Sequence, residues 1–147
     1  MHPNGEVHRL PIYPGLIPIL AVPDQALATS DARAALPDAV PMEVAVRSLG
    51  RLAALVSGLM LGDGVLLASA HGDEMHQHPR NHLRPEVEQL IETARAAGAL
   101  HACWSGAGPS VLALSEPETA PKVKSALEAN LRAGTVLELQ MASSGVV

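Results

Sequence analysis

Apolar residues change their spacing several times along this chain, and each change predicts an element. Leu16 to Val22 is apolar on both faces and stops at Pro23-Asp24, which predicts a strand. Pro18 inside that run lacks a ladder donor and predicts a sheet edge or a bulge. Glu6 to Leu10 reads as a short strand before it. Pro23 to Pro41 is a long connection rich in Ala, Asp and Pro, with a helical turn at Ser30–Ala35. Connections of this length carry function or serve as linkers. From Met42 the period becomes helical. Ala45, Leu49, Leu52, Ala53, Val56, Leu59 and Met60 recur at three- and four-residue steps, with Glu43, Arg47 and Arg51 facing away. Gly62-Asp63-Gly64 breaks the pattern, and a second helix is expected from Val65 to about Glu74.

Further on, Pro85 stands where a first-turn proline belongs, with Glu86 and Glu88 near the positive helix end. Val87, Leu90, Ile91 and Ala94 form one stripe, and Gly98 suits a left-handed cap. Two short strands follow, His101–Trp104 and Ser110–Leu114. Thr119 is placed to cap a helix with Pro121 in its first turn, Val123, Leu127 and Leu131 on one face, and Gly134 at its end. A last strand alternates Leu137, Leu139 and Met141 with Glu138 and Gln140. The order strand, helices, strand, strand, helix, strand is the split βαβ pattern. It predicts an α+β, ferredoxin-like sandwich with an antiparallel sheet, helices on one face, and extra helices between its first two core strands. Such a fold specifies no activity by itself.

The length, 147 residues, suits one domain, taken as residues 1–147. Hydrophobic residues make up 48% and charged residues 17%, a globular composition. With no Phe, one Trp and one Tyr, the core has to be aliphatic, and a base-stacking surface for single-stranded nucleic acid is disfavoured. A net charge of −5 also disfavours a nucleic-acid backbone as partner, without excluding a local basic site for a small anion. One cysteine, Cys103, permits no internal disulfide and makes the cytoplasm the expected compartment. Its apolar neighbours predict a buried, inert thiol. Leu52 to Ala70 is long enough to span a membrane, but Asp63 at its middle would cost about 2.5–3.5 kcal/mol there. This stretch is therefore read as buried core, with no membrane partner. The start shows no basic segment followed by an apolar run, so no signal peptide is expected.

Three segments hold candidate chemistry. Ser105-Gly106-Ala107-Gly108-Pro109-Ser110 lets backbone approach a ligand, and its N–H groups could form an anion nest; a plain tight hairpin is the simpler reading. It is neither a P-loop nor a dinucleotide fingerprint. Asp73 to Arg80, with His71 and His82, brings His71, His76, His78 and His82 within a short span. That invites zinc, but the spacing matches no standard ligand pair, Pro79 interrupts any helix there, and no metal site is assigned. In Thr29-Ser30-Asp31-Ala32-Arg33, Arg33 is solvated, pairs with a nearby carboxylate such as Asp31, or joins a second cation, of which Arg80 is the obvious one. Two guanidiniums can clamp one carboxylate with paired hydrogen bonds.

Together these segments resemble the homoserine kinases of the GHMP superfamily. Ser105–Leu114 resembles that superfamily's third motif, and Asp73-x-x-His76-x-x-x-Arg80 followed by Leu83-x-Pro85 resembles the segment before its next helix. Val22-Pro23-Asp24, Leu27-x-Thr29 and Ala32-Arg33-x-x-Leu36-Pro37 resemble its substrate-side loop. The resemblance implies transfer of the γ-phosphoryl of ATP, with Mg²⁺, to the hydroxyl of L-homoserine, a step toward threonine. It implies that Arg33 and Arg80 hold the amino-acid carboxylate, with Thr29 and His76 in or beside that pocket. Ser105, Gly106, Ala107 and Gly108 would approach the phosphoryl-transfer site. No general base is assigned. The family often has Asn where Ser48 stands. Nothing here matches the Gly-Leu-Gly-Ser-Ser-type ATP loop of the family's N-terminal half. The expectation is therefore a C-terminal half, inactive without its N-terminal domain, exposing apolar surface near the Leu16–Val22 edge and prone to self-associate as a homo-oligomer. A free-standing amino-acid-binding module that uses Arg33 and Arg80 without catalysis is the alternative.

Overall fold

The structure is a computed structural model that describes residues 9–142. Its one sheet is built from β1 (Ile17–Pro23), β2 (His101–Trp104), β3 (Val111–Ser115) and β4 (Gly134–Glu138) in the order β2-β3-β1-β4. Every pairing is antiparallel. This is the ferredoxin-like arrangement expected from the element order. The strand expected at Glu6–Leu10 lies mostly outside the described residues, and Arg9 and Leu10 are not in a strand.

β1 is an inner strand, so Pro18 does not mark an edge. The Pro18 carbonyl accepts from the Leu139 amide at 2.8 Å. In an antiparallel ladder the N–H and C=O of one residue face the same neighbour. The nitrogen of Pro18 therefore faces Leu139, one residue beyond the last β1–β4 pair of Ile19 with Glu138, so the missing donor falls at the end of that ladder.

One face of the sheet is covered by α5 (Pro85–Ala97) and α6 (Ala120–Asn130). Ile19, Ala21, Val111 and Ala113 of the inner strands meet Val87, Leu90 and Ile91 of α5 and Val123 and Leu127 of α6. The stripe read from the sequence of α5 is the buried one, and Gly98 takes the left-handed cap at φ 111°. α6 ends at Asn130, before Gly134. Thr119 precedes it without a side-chain cap, its hydroxyl donating instead to the Glu116 carbonyl. Gly134 opens β4 at φ 139°, where any Cβ would overlap the Val22 carbonyl. β4 thus runs earlier than expected, with Val136 toward the core and Leu137 and Leu139 exposed.

The opposite face also carries helices, contrary to the one-sided expectation. α2 (Met42–Leu61) and α3 (Gly64–Ser69) pack there, with Leu55 and Leu59 against the buried Leu16, Leu67 and Leu114. Gly62 and Asp63 make the expected break, and the Asp63 carboxylate accepts from the amides of Val65 and Leu66. α3 stops at Ser69 rather than reaching Glu74. The 52–70 stretch is buried core only in part: Leu67 is fully buried, whereas Leu52 is 55%, Leu61 69% and Val65 79% exposed. Leu49, expected inward, is 66% exposed, whereas Arg47 and Arg51 face the protein and bond Glu74. Those ion pairs fix a helix rotation that a broadly apolar sequence leaves open. α2 is long and apolar enough, by length and composition, to cross a membrane.

Candidate functional site

Between α2 and β2 lies a cavity of about 640 Å³. Ser48, Leu52 and Leu55 of α2 form one wall, and the 72–80 segment, Cys103 and Gly106 form the others. Ser48 Oγ is buried in that wall without a hydrogen-bond partner among the described residues.

The 72–80 segment ends in α4 (Gln77–Arg80), a single turn with Pro79 as its third residue, and no helix carries His71 through His82. Near a helix start a proline loses no intrahelical bond. Two buried side chains on this turn reach in different directions. Gln77 Oε1 accepts from the Trp104 amide at 3.0 Å, at the end of β2. Arg80 donates from Nε to the Ala32 carbonyl at 3.0 Å and from Nη1 to the Gly106 carbonyl at 3.3 Å. Arg80 thereby links α1 (Thr29–Ala34) to the glycine turn. Its Nη2 has no acceptor among the described residues.

Arg33 follows directly after Ala32 and is exposed, its guanidinium without a hydrogen bond or ion pair among the described residues; Thr29 opens α1 and is exposed too. Neither lines the cavity, whereas Arg80 and His76 do. His76 Nδ1 lies 3.0 Å from Asp73 Oδ2, and Asp73 Oδ1 accepts from the amides of Met75 and His76. In the turn, the Ser105 amide donates to the Ser110 carbonyl and the Gly108 amide to the Ser105 carbonyl. The amides of Gly106 and Ala107 have no acceptor among the described residues. Gly106 stands at φ 61° in open space, and Gly108 at φ 82° has the Trp104 ring where a side chain would go. Two free amides beside a cation suit a phosphate or carboxylate oxygen.

The four histidines disperse. His71 stacks on His101, with ring centroids 4.7 Å apart, while His78 and His82 are exposed. Burial, then the neighbouring His101, lowers the His71 pKa to about 4. Burial also lowers His101, whose Nδ1 meets the Leu67 carbonyl at 3.1 Å. Among the described residues no group of three or more His, Cys, Asp or Glu is placed to hold a metal. Cys103 is partly buried, and burial, then Asp73, pushes its thiol up to about 11.

Sequence reasoning missed Gln77 and Glu74. Glu74 takes Arg47 at 2.9 and 2.6 Å and Arg51 at 2.6 Å, and these hydrogen bonds hold its carboxyl down at about 2. The available signal was Arg47 and Arg51 one helical turn apart, which calls for a shared anion. Gln77 left no comparable mark.

Comparison with known proteins identifies the family of this fold. The sequence model described as "GHMP kinases C terminal" matches residues 55–133, more than half of the chain, and the chain belongs to that family. It is 47% identical over 115 residues to the homoserine kinase of Gloeobacter violaceus, covering 78% of this chain and 38% of that protein. It is 34% identical over 142 residues to the homoserine kinase of Moorella thermoacetica, covering 95% of this chain and 48% of that protein. The crystal structure of homoserine kinase from Cytophaga hutchinsonii superposes with a TM-score of 0.84 at 30% identity, over 90% of this chain and 44% of that one. The chain thus spans less than half the length of these relatives.

Proposed function

We propose that this chain is the C-terminal part of a homoserine kinase, working in the cytoplasm on the route to threonine. The observation that carries this reading is Arg80, whose two bonds join the substrate-side helix α1 to the glycine turn. The free edge of Arg80 and the solvent-facing Arg33 receive the α-carboxylate of L-homoserine. Thr29 and His76 border that pocket. The unpartnered Gly106 and Ala107 amides face the transferred phosphoryl group, with Ser105 and Gly108 setting the turn. Phosphoryl transfer rests on positioning and charge stabilisation, and these groups supply both without a strong base. Mg²⁺ would neutralise phosphate charge, and among the described residues no group of three or more His, Cys, Asp or Glu is placed to hold it. The metal and most of the ATP contacts belong to an N-terminal domain, which the relatives' greater length accommodates.

A full-length chimera tests this: the remaining portion of the Gloeobacter violaceus relative joined to this chain. It is expected to phosphorylate homoserine. Arg80→Lys should raise KM for homoserine about 10-fold or more, since hydrogen bonds to charged groups are worth about 1.5–3 kcal/mol, with KM for ATP nearly unchanged. Equal KM values in parent and variant would remove Arg80 from the pocket.

A further inference from the structure

An uncovered apolar strip runs along α2. Met42 is 77%, Val46 59%, Leu49 66% and Leu52 55% exposed. The charged residues of α2, Glu43, Arg47 and Arg51, lie off this strip. Contiguous apolar surface of this kind marks an interaction site.

We infer that the strip is the docking surface of the N-terminal portion that the relatives carry beyond the length of this chain. The inference rests on the kinase reading above and adds the place of contact. Its first support is length: this chain covers 38% of the Gloeobacter violaceus relative and 44% of the Cytophaga hutchinsonii chain, so more than half of each must pack somewhere. Its second is position. Leu49 and Leu52 belong both to the strip and to the cavity wall, so a body seated on the strip also roofs the cavity that holds Arg80. A second copy laid strip to strip would bring only the same apolar side chains, leaving the free edge of Arg80 and the Gly106 and Ala107 amides without acceptors.

The test is amide hydrogen exchange across Met42–Leu61 in the isolated chain and in the chimera. Exchange is expected to slow about tenfold or more in the chimera, with α5 equally protected in both. The double variant Leu49→Gln/Leu52→Gln should return α2 of the chimera toward its isolated rate and leave the isolated chain folded. Unchanged α2 exchange in the chimera overturns the inference. So does an isolated chain that dimerises or binds phosphatidylcholine–phosphatidylglycerol vesicles with equal α2 protection. An active chimera with unprotected α2 keeps the kinase reading and sinks the docking surface; protected α2 without kinase activity does the reverse. Co-expression of the two portions as separate chains gives a second route. One-to-one co-purification lost on Leu49→Gln/Leu52→Gln supports the contact, and absent or undisturbed co-purification refutes it.

Discussion

α5 and α2 are both amphipathic in sequence, yet the sheet uses them in opposite ways. α5 buries Val87, Leu90, Ile91, Ala94 and Ala97 out of 13 residues, and its other face is charged. α2 has 20 residues, of which only Gly58 is buried. A helix apolar on one stripe is satisfied by one neighbour, whereas a helix apolar over most of its circumference needs covering on more than one side. The α5–α6 face therefore holds the stability of this chain. The α2 face holds its cavity, its free donors and its unfinished surface.

The sharpest way to break this contrast is to cut into the α5–α6 side. Leu127 is fully buried between α6 and the sheet. Leu127→Ala should lower unfolding free energy by about 2–5 kcal/mol, read from urea denaturation. A loss below about 1 kcal/mol would show that the core lies elsewhere. The next effect belongs to the site. Gly108→Ala combines an unfavourable φ with overlap of the Trp104 ring. Loss of about 1–3 kcal/mol is expected. Exchange of the Ser105 and Gly108 amides should rise more than that of α5. Uniform change across both would mean that the turn has no separate rigidity.

The same contrast explains what the sequence made legible. α5, β2 and the break at Gly62-Asp63 were readable because local chemistry decides them: a first-turn proline, a cap, a clean stripe. The rotation of α2 was not, because Arg47 and Arg51 answer to Glu74, more than twenty residues away. Pro18 misled for a similar reason, since only the pairing with β4 shows that its missing donor falls at the end of a ladder and not along a free edge. In the site, the motif residues at 76, 80 and 105–108 were visible as segments. That Arg80 would bond Ala32 and Gly106 was visible only as a meeting of those segments, and Gln77 not at all.

A milder probe uses acid on the α2 side. His71 titrates near 4 in the folded chain and at its ordinary value near 6.5 when unfolded. The unfolded state therefore binds more protons between these values, so stability falls as pH drops from about 6.5 to 4. Glu74, held near 2, adds a separate loss from about pH 4.5 downward. His71→Gln should flatten the dependence of Tm on pH in the upper window only, leaving the lower one intact. An unaltered slope between pH 6.5 and 4 would assign it to another group, with His101 the first to examine.

The smallest effect is the most discriminating. Leu52 is 55% exposed, and its neighbours on the strip are no better covered, so its side chain gives the isolated chain little to lose. Leu52→Gln should change unfolding free energy by no more than about 0.5 kcal/mol, ten times less than the upper expectation for a buried leucine. The chemical change is comparable at positions 127 and 52: in each, an apolar side chain is cut back or made polar. Only the surroundings differ. If Leu52→Gln instead unfolded the isolated chain, α2 would have to be covered by this chain itself, and the opposition between the two faces of the sheet would collapse.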